Sequence, residues 1–300
     1  MAQAEEARAR LIAAHGWPQA AVELVPVTAS GDKVLDRPLA EIGGKALWTK
    51  ELDGWLLAGE IDFAVHSLKD VETIRPAAIA LAAILPREDV RDCLVSGPDI
   101  PAASIADLPP GARIGTSAPR RAAQMLHARP DLVIVPFRGN VATRLGKLAA
   151  GEADATLLAM AGLNRLGETL GTALPADSWL PACGQGAIAI EARAADAATC
   201  ALLAPLNHAP SRAEVLAERA LLAALGGNCH SALAVHSTWE GADLCLAAAL
   251  YSADGAAKVA GTARLTPGDS APIAALAADL LGQSPAAIRA LFTGPHPIPA

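Results

Sequence analysis

Several stretches of the 300-residue sequence combine residue types suited to chemistry. His66-Ser-Leu-Lys-Asp70 follows the apolar run 61–66, which reads as a strand. Lys69 and Asp70 set a cation and a carboxylate side by side, with Ser67 next to them, at a strand end. That is where open α/β sheets bind ligands. A carboxylate there shuttles a proton or stabilises a developing cation; a helix cap beside a solvated lysine is the competing reading. Gly115-Thr-Ser-Ala-Pro-Arg-Arg121 follows a second strand end. Thr116 or Ser117 is expected to cap a helix whose first amides attract an anion. Arg120 and Arg121 add forked donors suited to carboxylates, in a helix turn where positive charge is unfavourable without an anion. In Arg138-Gly-Asn-Val-Ala-Thr-Arg144, Arg138 closes a buried strand and Arg144 sits one turn into a helix; a plain turn with a surface arginine fits as well. Gly162-Leu-Asn-Arg-Leu166 contributes Arg165, the weakest of these signals.

Two glycine-rich segments complete the set. In Leu180-Pro-Ala-Cys-Gly-Gln-Gly-Ala187, Gly184 and Gly186 flank Gln185 and permit sharp turns. The segment reads as an interdomain hinge or a nucleotide loop, although its spacing matches neither a P-loop nor a dinucleotide fingerprint. Gly226-Gly-Asn-Cys-His230 places Cys229 on a loop after a long helix. A thiolate so placed serves as an attachment point or a nucleophile, whereas an inert buried cysteine is the bland alternative. Cys93, Cys183, Cys200 and Cys245 have apolar neighbours and read as structural, and no histidine and aspartate context supports a cysteine hydrolase.

The elements that must position these residues alternate. Helices are expected over 2–14, 118–129, 141–150, 161–170, 211–225 and 271–281, with a helical stretch from near Gly44 through 57. Strands are expected over 22–27, 61–66, 113–115, 132–137, 155–159 and 231–236, and a hairpin over 243–251 and 256–265. The run 79–85 is a strand or a buried helical turn. Such alternation implies α/β domains with parallel or mixed sheets, followed by a separate small α/β module. Hydrophobic residues make up 52% and charged residues 18%, which argues against disorder. No apolar run approaches the roughly 20 residues of a membrane helix, and the charged start is not a secretory signal. A formal charge of −7 disfavours nucleic acid but not a small anion, whose binding depends on local arginines. Five widely spaced cysteines without a Cys-x-x-Cys fit neither zinc nor a disulfide framework and suit a reducing cytoplasm.

Taken in order, the motifs Val65-His-Ser-Leu-Lys-Asp-Val71, Gly115-Thr-Ser with Arg120-Arg121, Arg138-Gly-Asn-Val-Ala-Thr-Arg-Leu145, Leu180 through Ala187 and Gly226-Gly-Asn-Cys229 resemble the porphobilinogen deaminase family. Weaker matches are residues 34–40, Gly43-Gly-Lys45 and Ala217-Glu-Arg219. The resemblance implies two periplasmic-binding-protein-like lobes with mixed sheets, domain 1 over 1–86 and 187–204 and domain 2 over 91–182, plus a C-terminal α/β domain over 209–300. It implies a cytoplasmic, monomeric transferase that joins four porphobilinogen units into a linear tetrapyrrole with release of ammonia. The cofactor is then a dipyrromethane thioether-linked to Cys229, and Asp70 the catalytic carboxylate. Lys45, Ser67, Lys69, Thr116, Ser117, Arg120, Arg121, Arg138, Arg144, Arg165 and Gln185 become the candidates for holding cofactor and substrate carboxylates. Three features depart from the family pattern: Glu72 stands where proline is usual, Asn228 sits in the cysteine loop, and Met1 falls where the family's first helix begins. Without the preceding strand and its loop, roughly fifteen residues, a lobe is expected to expose sheet edge; either the start is placed too late or the chain is impaired. The alternative is a non-catalytic two-lobed protein that binds a small anion, which needs neither Cys229 nor the last module.

Overall fold

The computed structural model describes residues 1–27, 49–228 and 230–292, so Lys45, the motifs at 34–45 and Cys229 lie outside the described residues. In chain order the described strands are β1 (Phe63–Ser67), β2 (Ile79–Ile84), β3 (Asp92–Ser96), β4 (Arg113–Gly115), β5 (Val133–Val135), β6 (Ala155–Ala159), β7 (Thr172–Ala173), β8 (Ile188–Arg193), β9 (Leu233–Glu240), β10 (Asp243–Tyr251) and β11 (Lys258–Leu265). They form three sheets. The first runs β1-β8-β2, antiparallel throughout. The second, β5-β4-β6-β3-β7, is mixed: β4 lies parallel to β5 and β6, whereas β3 is antiparallel to β6 and β7. The third is the meander β11-β10-β9. The chain is thus an α/β fold of two lobes, one on each of the first two sheets, with a small α/β module on the third.

Patterning explains the layers. In helix Ala2–His15, Ala7, Leu11 and Ile12 fall on one face and bury against Ile188 and Ile190 of β8. In helix Ala271–Gln283, Ile273, Leu276, Ala277 and Leu280 do the same against β9–β11, and β11 alternates toward solvent as a one-sided strand should. The ambiguous run 79–85 is strand β2. Residues 22–27, expected as a strand, make no ladder among the described residues; Pro26 lacks the N–H a ladder needs. Strand β3 and helix Ala197–Leu203 escape a reading by periodicity because both are short, and β3 opens on a carboxylate, Asp92.

The chain crosses between the first two sheets twice, and the crossings are bonded to each other. Leu85 N–H donates to Ile188 carbonyl at 3.1 Å and Glu88 N–H to Gly186 carbonyl at 3.2 Å. Arg87 Nε donates to Gln185 carbonyl at 2.9 Å. Gly186 has φ +85°, and a Cβ there would collide with the Glu88 carbonyl, so glycine is required on two counts.

A polar network lies inside the first lobe. Arg75 pairs with Glu191 at 2.8 Å, Asp53 at 2.5 Å and Glu72, while His66 Nε2 sits 3.3 Å from Glu191 without a hydrogen bond among the described residues. Burial, then Arg75, pushes His66 down to about 4 from 6.5, against Asp53, Glu72 and Asp70. The unfolded chain therefore binds the proton more tightly between these values, so His66 makes stability fall as pH drops from 6.5 toward 4. The loss is expected to be on the order of 3 kcal/mol. Urea midpoints at pH 7 and pH 4.5 should differ more for the wild type than for His66→Gln; equal pH dependence in the two would refute the assignment.

Candidate active site

Strand β1 ends at Ser67, and the chain makes one 3₁₀ turn over Leu68–Asp70 before leaving extended at Val71. Leu68 anchors the turn: its N–H donates to the Ala187 carbonyl at 3.0 Å, and its buried side chain packs against Gly184. The next two residues are thereby directed outward, Lys69 half-buried and Asp70 exposed. No helix follows, so Asp70 is not a helix cap and Lys69 is not simply solvated. Ser67 Oγ accepts a hydrogen bond from Gln3 Nε2 of the first helix at 2.6 Å. Asp70 accepts none among the described residues. Burial pushes Lys69 down to about 8, with Asp70 opposing and Arg121 reinforcing.

The second lobe brings arginines toward this carboxylate. Arg138 is buried just after β5, and Gly139, at φ +112°, turns the chain. Asn140 caps helix Val141–Ala149 by accepting from Thr143 N–H at 2.9 Å. Arg144, one turn in, donates from Nε to Gly139 carbonyl at 2.9 Å. Burial and Arg121 push Arg144 down to about 10, with Asp70 opposing. Arg121 thus acts against the charge of both Lys69 and Arg144, and Asp70 acts in favour of both, an arrangement in which an anionic ligand would further favour the two cations.

Other expectations change. Thr116 and Ser117 do not cap helix Pro119–Ala128; its N-cap is Ala118, without a side-chain bond, and Thr116 Oγ1 accepts from Ala118 N–H at 3.1 Å. The strand ends too early for either hydroxyl to reach the first helical amides. Thr116 is buried and Ser117 half-buried. Arg120 and Arg121 are not open forks: both are buried and committed to Asp92, at 2.7 Å each. Arg121 also donates to Leu157 carbonyl, and Arg120 to Leu180 carbonyl. Gln185 is fully buried and donates to Asp92 at 2.9 Å and Val90 carbonyl at 2.7 Å, so it joins the crossing to the second lobe without an exposed face. Arg165 meets Glu6 of the first helix at 3.3 Å and donates to Gly186 carbonyl at 3.1 Å. Asp92, which gathers Arg120, Arg121, Gln185 and Trp179 Nε1 (2.9 Å), is the residue that motif reading missed. Its signal was present: a carboxylate opening the apolar run Cys93-Leu-Val95 must be paired when buried.

The profile described as "Porphobilinogen deaminase, dipyromethane cofactor binding domain" matches residues 1–201, and "Porphobilinogen deaminase, C-terminal domain" matches residues 212–281. The chain belongs to the porphobilinogen deaminase family. The porphobilinogen deaminase of Sphingopyxis alaskensis is 59% identical over 97% of this chain and 93% of its own length. That of Paracoccus denitrificans is 47% identical over 95% and 91%. Among solved structures, the periplasmic VFT2 domain of Bordetella pertussis BvgS aligns over 67% of this chain and 75% of its own, at 17% identity and a TM-score of 0.38. Membership of the porphobilinogen deaminase family does not favour the non-catalytic alternative. It also makes residues 1–201 the part that binds the dipyrromethane cofactor. The donor set fits that group: a dipyrromethane carries acetate and propionate side chains, and Lys69 and Arg144 stand near Asp70 with Arg121, itself paired to Asp92, behind them. Among the described residues no helix is long and apolar enough to cross a membrane, and no cluster of His, Cys, Asp and Glu suits a metal.

Proposed function

We propose that the chain is a hydroxymethylbilane synthase, joining four porphobilinogen units head to tail with release of ammonia, with Asp70 as its catalytic carboxylate and Cys229 as the attachment point of the dipyrromethane. The observation that carries the reading is the exposed Asp70 just after β1, without a hydrogen bond among the described residues, beside Lys69 and in electrostatic contact with Arg144. In porphobilinogen the bond between the methylene carbon and nitrogen breaks, its electron pair leaves on ammonia, and the ring nitrogen lone pair delocalises to leave a methylene-pyrrole cation. Asp70 lowers the energy of that cation and accepts the pyrrole N–H, an interaction stronger in the charged state than in the ground state. Lys69, Arg144 and Arg138, with Arg121 behind them, hold the acetate and propionate groups, arginine pairing bidentately with each carboxylate. Lys45, Ser67, Thr116, Ser117, Arg120, Arg165 and Gln185 complete the proposed set, the buried ones by fixing the donors that face the ligand. The dipyrromethane, when bound, supplies the pyrrole carbon to which the first unit is joined.

Cys229 is favoured over Cys93 and Cys183 by their chemistry. Burial raises the Cys93 thiol to about 11 and the Cys183 thiol to about 12, which leaves neither with useful thiolate near neutrality. The unit division at 1–86 with 187–204, 91–182 and 209–300 is supported by sheet membership, and we read the protein as a cytoplasmic monomer. Intact mass tests the assignment. The purified chain is expected to exceed its sequence mass by one dipyrromethane, and Cys229→Ser to lose the increment while Cys93→Ser, Cys183→Ser and Cys245→Ser keep it. Survival of the increment in Cys229→Ser would overturn the assignment.

A further inference from the structure

Helix Ala209–Ala224 of the C-terminal module makes two distinct contacts with the rest of the chain through consecutive residues. Glu218, fully buried, accepts from Arg87 at 2.8 and 3.0 Å, from Gly184 N–H at 2.8 Å and from Ser237 Oγ at 2.9 Å. These bonds fasten the helix to the crossing segments and to its own sheet. Arg219 points elsewhere. Its guanidinium donates to the carbonyls of three consecutive residues, Val71 at 3.3 Å, Glu72, and Thr73 at 3.1 Å. Those three residues directly follow Asp70. Thr73 in turn donates from Oγ1 to the Gly227 carbonyl at 3.1 Å, two residues before Cys229. Gly227 is itself held, its N–H donating to Leu222 carbonyl at 2.9 Å, and a Cβ there would stand 2.5 Å from a Leu222 methyl, which would have to shift. Asn228 and Ser231 bond to each other twice at 2.9 Å, from Asn228 N–H to Ser231 Oγ and from Ser231 N–H to Asn228 carbonyl.

We propose that Arg219 and Thr73 are positioning residues that clamp the segment after Asp70 to the segment before Cys229, and so set the carboxylate in register with the attached chain. The inference rests on the function proposed above. Docking of the module does not need this clamp, because Glu218 and Arg87 already supply it. Three carbonyls instead fix the path of 71–73, and Arg219 reaches them from two nitrogens of its fork; a lysine ammonium is a single point on a shorter stem. A displacement of even an ångström between reacting groups costs up to about a hundredfold in rate.

The test compares wild type, Thr73→Val, Thr73→Ser and Arg219→Lys as purified holoenzymes. Measured are the mass increment, the thermal midpoint, and kcat and KM for porphobilinogen per adduct-bearing chain. Thr73→Val removes one hydrogen bond with no change of shape and is expected to keep its midpoint and KM while kcat falls about tenfold or more. Thr73→Ser should restore kcat to within about twofold, because the donor returns. Arg219→Lys should lose kcat at least as far. Unchanged kcat in a folded, loaded Thr73→Val, or a Thr73→Ser as slow as Thr73→Val, would overturn the clamp while leaving the function intact. A wild-type chain without adduct or turnover would instead overturn the reading on which the clamp rests.

Discussion

Asp70→Asn is expected to lose at least about a hundredfold in turnover, since a preorganised charge aimed at a developing cation contributes a few kcal/mol. Its fold should survive. Asp70 is exposed and accepts no hydrogen bond among the described residues, so replacing its charge leaves no buried group unsatisfied. The variant keeps the shape and most of the hydrogen-bonding capacity of the carboxylate and changes the charge alone. Turnover and urea midpoint measured on the same preparation separate the two effects. Retention of more than about a tenth of the activity, which corresponds to about 1.4 kcal/mol, would show that the charge does not act on the transition state. A collapse of the midpoint in parallel with the activity would equally argue against it, because then Asp70 would be holding the fold.

Asp92 should behave in the opposite way. Its carboxylate is fully buried and takes hydrogen bonds from Arg120, Arg121, Trp179 and Gln185. Although burial works against its ionisation, Arg120 and then Arg121 hold it well below the ordinary carboxylate range. In Asp92→Asn the two guanidiniums remain buried without a counter-charge, and an amide N–H₂ faces donors. Breaking a buried pair from one side costs about 3–5 kcal/mol. The urea midpoint should therefore fall by that equivalent, and activity should fall with it, because Arg121 shapes the field at Lys69 and Arg144. A loss below about 1 kcal/mol would mean that the pair is solvated and Asp92 is not the hub of the second lobe. The contrast between the two aspartates is one of surroundings: the same side chain serves chemistry where nothing bonds it, and serves the fold where four donors converge.

What the sequence determined by itself was local. The strand-end turns at Ser67–Asp70 and Arg138–Asn140 are legible because glycine at φ +112° and an Asn cap leave the backbone few alternatives, and because apolar runs of four to six residues must be buried. Strand β6 at 155–159 and the helix at 141–149 follow from the same periodicity. The candidate carboxylate and the cation-rich turns could be read for the same reason. Only the tertiary structure decided which arginines are available to a ligand. Arg120 and Arg121 meet Asp92 from 28 and 29 residues away, Gln185 from 93, and Arg165 meets Glu6 from 159. An arginine in a turn has the same local sequence whether its charge is spent on a buried carboxylate or faces a cleft. The difference is made by a partner that tertiary packing brings to it, Asp92 from within the second lobe for Arg120 and Arg121, and Glu6 of the first helix for Arg165. Burial then raises the strength of that pairing by removing water, so the long-range contact, not the motif, sets what each cation does.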